Sequence, residues 1–135
     1  MSWIVDSKGV IFSDNKVPEG YFDINGEVYN KEAIAPYGLL TFPPLAPSVG
    51  FVDINGDTYN SSHLPIGFVD IEGSIYDVGH LLVATIDQYG TLSEKYGIFK
   101  ANINLELHKK HHNLHSKPMP YRAAAALYFL ILHRK

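Results

Sequence analysis

The chain has 135 residues, of which 46% are hydrophobic and 19% charged, a composition that fits one globular domain. It contains no cysteine, which excludes disulfides, thiolate zinc sites, iron–sulfur clusters and cysteine nucleophiles. The N-terminal residues lack a basic stretch followed by a long apolar run, so we expect no secretory signal and a cytoplasmic protein.

Charge divides the chain into two parts. Residues 1–100 carry five lysines against 13 acidic residues, a balance of −8, whereas residues 101–135 carry six basic residues against Glu106, a balance of +5. Five of the seven histidines also lie in the basic part. This asymmetry is typical of a membrane or nucleic-acid contact, or of a basic end that packs on an acidic body, and we expect the last of these.

A repeat occupies the first two-thirds of the chain. In each copy a glycine follows an aspartate by three residues, and the aspartates are 17, 30, 17 and 17 residues apart. The five copies begin with residues 4–9, 21–26, 51–56, 68–73 and 85–90. In the first four copies an aromatic residue stands three places after the glycine, namely Phe12, Tyr29, Tyr59 and Tyr76. Five copies of one pattern indicate a repeated structural unit.

Each copy predicts a β-hairpin. Alternation places Val52 and Ile54 on one face of a strand, and the glycines Gly26, Gly56 and Gly73 supply the positive φ that a tight turn requires. We expect the repeated aspartates to bind their own turn backbone rather than calcium. A single hairpin is marginal in water, so the units must share a core, as a closed ring or as a stack.

The predicted fold is therefore mainly β: a closed or stacked array of short β-hairpin repeats, with one long extra strand and a C-terminal α-helix. A repeat domain spans residues 1–117, and the helix spans 118–135. The units lie near residues 3–20, 21–38, 51–67, 68–84 and 85–97. The long strand covers 98–108, where apolar and polar residues alternate.

The runs GFVDINGDTYN (50–60) and GFVDIEGSIYD (67–77) resemble the tandem hairpins of small bacterial and phage proteins described as four-fold β-flowers. The resemblance covers about residues 3–94. It implies a hairpin-repeat architecture and no particular activity. The insertion at 39–50, the fifth unit and the C-terminal third depart from the pattern.

The repeat tyrosines are candidate binding residues. In a closed ring, equivalent side chains would converge near the axis, so Tyr29, Tyr59 and Tyr76 either line a pocket there or fill the core. Filling is the interpretation that we favour, because small β cores use aromatic side chains in this way.

The insertion at 39–50 contributes three further binding candidates, Phe42, Pro44 and Pro47. Its prolines favour an extended backbone, and its apolar side chains need cover. We expect this segment to pack against its own domain or a neighbouring subunit. Docking into an aromatic groove of another protein is the alternative.

Histidines cluster after the predicted long strand. The weak metal-ligand candidates are His108, His111, His112 and His115. Imidazole suits zinc, copper or nickel, but the segment lacks the glutamate of the H-E-x-x-H motif. We expect a solvated basic loop and no cofactor, with a metal site or an anion-binding patch as alternatives. Nucleic-acid binding is not expected, because the isoelectric point is near 6.1.

Residues 121–134 predict a helix that is apolar on every side over 123–132. It would be roughly 21 Å long, too short to span a bilayer of about 30 Å. A body of short hairpins has little room for it, so we expect burial between subunits. The oligomer contact would comprise Leu127, Leu130 and Ile131. Burial within one chain and insertion at a membrane surface are the alternatives.

The chain carries no G-x-S-x-G elbow, phosphate-binding glycine loop or H-E-x-x-H motif. We therefore expect a non-enzymatic binding or assembly module that forms a homo-oligomer through its C-terminal helix and contacts protein partners. A membrane-associated protein that uses the basic, apolar helix is the first alternative. A metal-dependent enzyme that uses residues 108–115 is the second.

Overall fold

The chain folds into a ring of β-hairpins around a C-terminal helix. A computed structural model describes residues 3–35, 40–41, 43–111 and 116–133, with the backbone alone for His111. Within these residues the strands are β1 (Trp3–Val5), β2 (Val10–Phe12), β3 (Pro18–Phe22), β4 (Glu27–Asn30), β5 (Gly50–Val52), β6 (Asp57–Asn60), β7 (Pro65–Val69), β8 (Ser74–Asp77), β9 (Leu82–Ile86), β10 (Thr91–Glu94) and β11 (Lys100–Ile103). Short 3₁₀ turns cover Lys31–Ala33 and Lys109–His111.

The strands form a closed barrel in chain order. Each strand pairs antiparallel with the next, and β1 closes the ring by pairing parallel with β11, where Trp3 faces Ala101. The described strands number eleven, and an odd number of alternating strands makes the closing pair parallel. The closed ring is thus confirmed over the stacked array, and closure leaves no exposed sheet edge.

Aspartate-capped turns build one end of the barrel, which we call the glycine end. In the third unit, Asp53 Oδ1 accepts hydrogen bonds from the backbone N–H groups of Asn55 at 2.9 Å and Asp57 at 3.0 Å. The same pair of bonds occurs at Asp6, Asp23, Asp70 and Asp87. The prediction that these aspartates bind their own turns is confirmed.

The turn glycines adopt the predicted backbone conformation and also join the units. φ is 88° at Gly26 and Gly56 and 91° at Gly73, in the left-handed region. The carbonyl of Gly56 accepts a hydrogen bond from the N–H of Val69 at 3.0 Å, in the next unit. Each turn therefore links two neighbouring hairpins as well as reversing the chain.

Alternation along the strands separates an apolar interior from a mixed exterior. Val52 is fully buried inside the barrel, whereas Ile54 is 49% exposed, so the predicted common face for these two residues is wrong. The strand ends at Val52, and Ile54 belongs to the turn that Asp53 caps. The alternation that holds inside a strand does not continue through its turn.

The C-terminal helix lies inside the barrel. It consists of α1 (Met119–Ala126) and a wider π-helical continuation, Leu127–Leu132. Leu127 is 0% and Leu130 1% exposed within the single chain, and the hydrophobic core includes both the helix and the barrel strands. Among the described residues, no helix is long and apolar enough to cross a membrane.

Glycines on the inner wall of the barrel make room for the helix. A Cβ atom at Gly67 would lie 2.2 Å from Cζ of Phe129, and one at Gly50 would lie 2.8 Å from Cδ2 of Leu130. These small residues let the barrel enclose the helix. The predicted oligomer contact through Leu127, Leu130 and Ile131 is therefore corrected: the first two are core residues of one chain, and Ile131 packs against that core.

The predicted long strand over 98–108 is also shorter than expected. Strand β11 ends at Ile103, because the Asn104 side chain accepts a hydrogen bond from the N–H of Glu106 at 2.8 Å and starts a turn. The chain then closes the ring, since the N–H of Asn104 donates to the carbonyl of Val5 at 2.9 Å. Asn104 stands 17 residues after Asp87 and repeats its turn.

Opposite charges meet where the helix enters the glycine end. Arg122 is buried, and its Nη2 donates to the carbonyl of Val52 at 2.7 Å. Burial lowers the pKa of Arg122, and the carboxylates of Asp53 and Asp23 act in the opposite direction. Arg122, from the basic part of the chain, thus packs into the acidic barrel.

Candidate binding surface on the outer barrel wall

The candidate residues Tyr29, Tyr59 and Tyr76 lie on the outer wall of the barrel. Their chain neighbours Val28, Thr58 and Ile75 are fully buried and point inward, so the tyrosines alternate outward. The prediction that the tyrosines converge near the ring axis is wrong, because the helix occupies that space.

Each tyrosine pairs across the hairpin with another aromatic side chain. The resulting aromatic band consists of Tyr21, Tyr29, Phe51, Tyr59, Phe68 and Tyr76 on six consecutive strands, β3 to β8. The rings of Phe51 and Tyr59 stack at 4.7 Å between centroids, and those of Phe68 and Tyr76 stack at 5.1 Å. All six side chains remain partly exposed.

Two histidines extend the band toward the opposite end of the barrel. The ring of His63 lies 5.7 Å from Phe51, and that of His80 lies 5.5 Å from Phe68. The sequence predicts only surface-loop positions for both histidines, each alone near the end of its unit. Each follows its tyrosine by four residues, a spacing that could have revealed them. Both have positive φ values, 64° and 68°, in turns capped by Asn60 and Asp77.

Carboxylates border the band on the side of the glycine end. Burial raises the pKa of Tyr59, and the carboxylates of Asp53 and Asp57 raise it further. Tyr29 behaves in the same way, with burial as the largest cause, followed by Asp23 and Glu27. The hydroxyls of Tyr59 and Tyr29 therefore lie in a negative potential, which favours a cationic partner.

A groove separates two of the stacked pairs. It has a volume of about 260 Å³ and runs between Tyr59 and Phe68, with Asp57 and His80 at its sides. Burial raises the pKa of Asp57, the neighbouring Asp53 raises it further, and Lys117 of the same chain acts in the opposite direction. The groove thus combines two aromatic walls with a carboxylate, a combination suited to a cationic side chain.

The proline-rich insertion lies against its own barrel. The N–H of Leu45 donates to the carbonyl of Ala33 at 3.2 Å, and the N–H of Val49 donates to that of Val28 at 2.8 Å. Pro44 is half-buried and Pro47 is exposed. Phe42, the third candidate in this segment, lies outside the described residues.

The histidine candidates are described only in part. Nε2 of His108 lies 2.7 Å from the carbonyl of Phe22 and is engaged there as a donor, since a carbonyl only accepts. His112, His115 and the side chain of His111 fall outside the described residues. In the part of the chain that the structure describes, no group of three histidine, cysteine or acidic side chains could hold a metal ion.

No family model, curated protein or solved structure matches this chain. The resemblance to four-fold β-flower proteins therefore stays a prediction.

Proposed function

We propose that this protein is a non-enzymatic assembly module in which the acidic aromatic band of one copy binds the basic C-terminal region of another. The observation that carries the proposal is the band itself, six partly exposed aromatic side chains bordered by carboxylates. Aromatic side chains are enriched in protein interfaces, where they bury a large area.

Charge complementarity supports a second copy as the partner. The chain carries its positive balance in residues 101–135, and within them Lys109 and Lys110 are exposed. Nζ of Lys109 lies 3.0 Å from Oε2 of Glu106, but both side chains are largely exposed, so this ion pair is easily exchanged. A lysine could instead lie against the tyrosine faces and the carboxylate of Asp57.

The two complementary surfaces lie on different strands. The band covers β3 to β8, whereas the turn Lys109–His111 follows β11, on the part of the ring where β11 meets β1. Contacts between two different surfaces of one chain are head-to-tail, so they build rings or filaments rather than two-fold dimers. We expect assembly to depend on salt, because the attraction is between charges near the surface.

Sedimentation velocity over a range of protein and salt concentrations tests the proposal. The wild type is expected to self-associate at low salt, and Tyr59→Ser is expected to weaken this. Tyr89→Ser is the matched control, since Tyr89 is 75% exposed in a turn away from the band. Lys110→Glu should also weaken assembly, whereas Lys95→Glu should not.

Two outcomes would reject the proposal. One is a wild type that stays monomeric at every concentration, and the other is equal loss of association in Tyr59→Ser and Tyr89→Ser. Circular dichroism melting curves ensure that only folded variants are compared.

A further inference from the structure

A second cavity lies at the end of the barrel opposite the glycine end, beside the last turn of the helix, and shares Val78 with the groove. Its volume is about 280 Å³. We call it the end cavity; its lining includes the apolar side chains Val78, Val83 and Phe129 and the polar side chains Asp77, Tyr128 and His133. This mixture of an apolar wall with a few polar groups is typical of small-molecule sites.

The local backbone explains why the cavity is there. From Leu127 the helix widens into a π-helix, and the N–H of His133 donates to the carbonyl of Tyr128, five residues earlier, at 3.1 Å. This turn brings the ring of His133 to 4.6 Å from the ring of Tyr128. Phe129 is held against Gly67 on the inner wall. Wide helical turns of this kind are frequent at functional sites.

The end cavity has a negative potential. Asp77 is the carboxylate that lines the cavity, and Oε2 of Glu94 lies 3.3 Å from Nε2 of His133, another lining residue. Burial raises the pKa of Tyr128, and Glu94 and Asp77 raise it further, so both carboxylates act on the same hydroxyl. The C-terminal end of the helix adds a partial negative charge.

Lys95, which follows Glu94 in the chain, contacts an aromatic ring rather than the carboxylates of the end cavity. Nζ of Lys95 lies over the ring of Tyr96, 5.1 Å from its centroid. Among the described residues that line the cavity, His133 is the one basic side chain. Two carboxylates therefore act on an apolar cavity that contains aromatic rings, and this combination favours an organic cation over an anion or a neutral molecule.

We propose that the end cavity binds a small organic ammonium ion with an apolar body. The ammonium group faces the lining carboxylate of Asp77, with Glu94, the partner of His133, adding its negative charge. The apolar body lies against Phe129 and Val83. The ring of Tyr128 contributes a cation–π contact. The site uses no side chain of the aromatic band, although Val78 lines both the end cavity and the groove beside Tyr59.

Phenethylamine is the probe, and phenethyl alcohol is its neutral control of nearly the same shape. Titrations followed by the NMR signals of the Ile66 and Val83 methyl groups, which line the end cavity and not the groove, should show saturable binding of the amine. The alcohol should bind roughly tenfold more weakly, a difference equivalent to about 1.4 kcal/mol. Equal affinities of the amine and the alcohol would overturn the proposal.

The titration is repeated on a chain that ends at His133. Arg134 and Lys135 carry the same charge as the probe and follow the site in sequence, so they could compete with it. Tighter binding by the shortened chain would agree with the proposal. Absence of amine binding in both chains overturns it.

Conservative variants locate the site. Asp77→Asn keeps the turn, because Asn60 makes the same two backbone bonds one unit earlier, to the N–H groups of Ser62 at 2.9 Å and Leu64 at 3.1 Å. Asp77→Asn and Glu94→Gln should each weaken amine binding several-fold. Asp87→Asn removes a charge from an equivalent turn at the glycine end and should leave binding unchanged. Equal weakening in all three variants would mean non-specific attraction and would reject the site.

Discussion

At the scale of single residues, one backbone device repeats around the barrel. An aspartate caps a turn, and the glycine three residues later adopts a positive φ while its carbonyl binds the next unit. At Gly56, two features exclude a side chain. Its φ is 88°, and a Cβ atom there would lie 2.5 Å from the carbonyl oxygen of Val69.

Gly56→Val is therefore expected to lower the free energy of unfolding by more than the roughly 1 kcal/mol of an average substitution. Urea denaturation measures the change. Gly79→Ala is the control, since Gly79 is exposed and lacks a positive φ. A Gly56→Val variant as stable as the wild type would contradict the turn assignment.

A second prediction at this scale concerns Thr58. Its hydroxyl has no hydrogen-bond partner although the residue is fully buried, and the equivalent positions in neighbouring units hold Val28 and Ile75. Thr58→Val removes the unsatisfied hydroxyl at nearly constant volume. The free energy of unfolding should therefore rise by roughly 1 kcal/mol. The control Thr85→Val, on the exposed side of β9, should change stability less. A destabilised Thr58→Val variant would show that the hydroxyl is satisfied.

At the scale of elements, the helix is the core of the barrel. The strands are only three to five residues long, and each places one or two side chains inside. Such short strands leave an axial space that the helix fills, with Ala123–Ala126 allowing close approach to the wall. Barrel and helix therefore depend on one another for stability.

Leu130→Asp is expected to unfold the monomer, because Leu130 is 1% exposed and an unpaired buried charge costs several kcal/mol. A chain that ends at Lys117 should likewise lose its cooperative thermal transition. Circular dichroism melting provides the measurement. Ile71→Asp is the control, since Ile71 is 65% exposed in a turn and its substitution should be tolerated. A folded barrel without the helix would contradict this arrangement.

At the scale of the whole molecule, the charge asymmetry has a structural explanation. The acidic turns gather at the glycine end of the barrel, and the basic helix enters there, with Lys117 close enough to lower the pKa of Asp57. The N–H of Lys117 also donates to the carbonyl of Ile54 at 2.8 Å. Even so, burial and Asp53 leave the pKa of Asp57 raised above its ordinary value of 3.8.

A pH-dependent prediction follows from this raised pKa. Because the pKa of Asp57 is higher in the folded than in the unfolded chain, ionised Asp57 lowers the free energy of unfolding. This loss is absent below the unfolded pKa and becomes complete as pH rises through the folded pKa. Asp57→Asn should therefore raise the melting temperature at about pH 7 and leave it unchanged near pH 3. The measurement uses dilute protein, so that assembly does not contribute. Glu72→Gln, in the next unit, removes an exposed charge as the control. An equal effect of Asp57→Asn at both pH values would contradict the shift.

The hairpins could be predicted from the sequence because their determinants are local. An aspartate and a glycine three residues apart decide the turn through bonds that span four residues, as at Asp53. The closed ring was one of two alternatives, since the pattern within a unit is the same whether the units close or stack. The aromatic band was predicted in part: its tyrosines were identified, and their position on the wall was not.

The sequence by itself determined the repeated units, the capped turns and the existence of an apolar C-terminal helix, because each depends on neighbouring residues. Only the tertiary structure decided where that helix lies and which way the tyrosines face. Both depend on the space that remains when eleven described strands close into a ring. Gly50 and Gly67 make that space, and their effect appears only when Leu130 and Phe129, more than 60 residues away, pack against them.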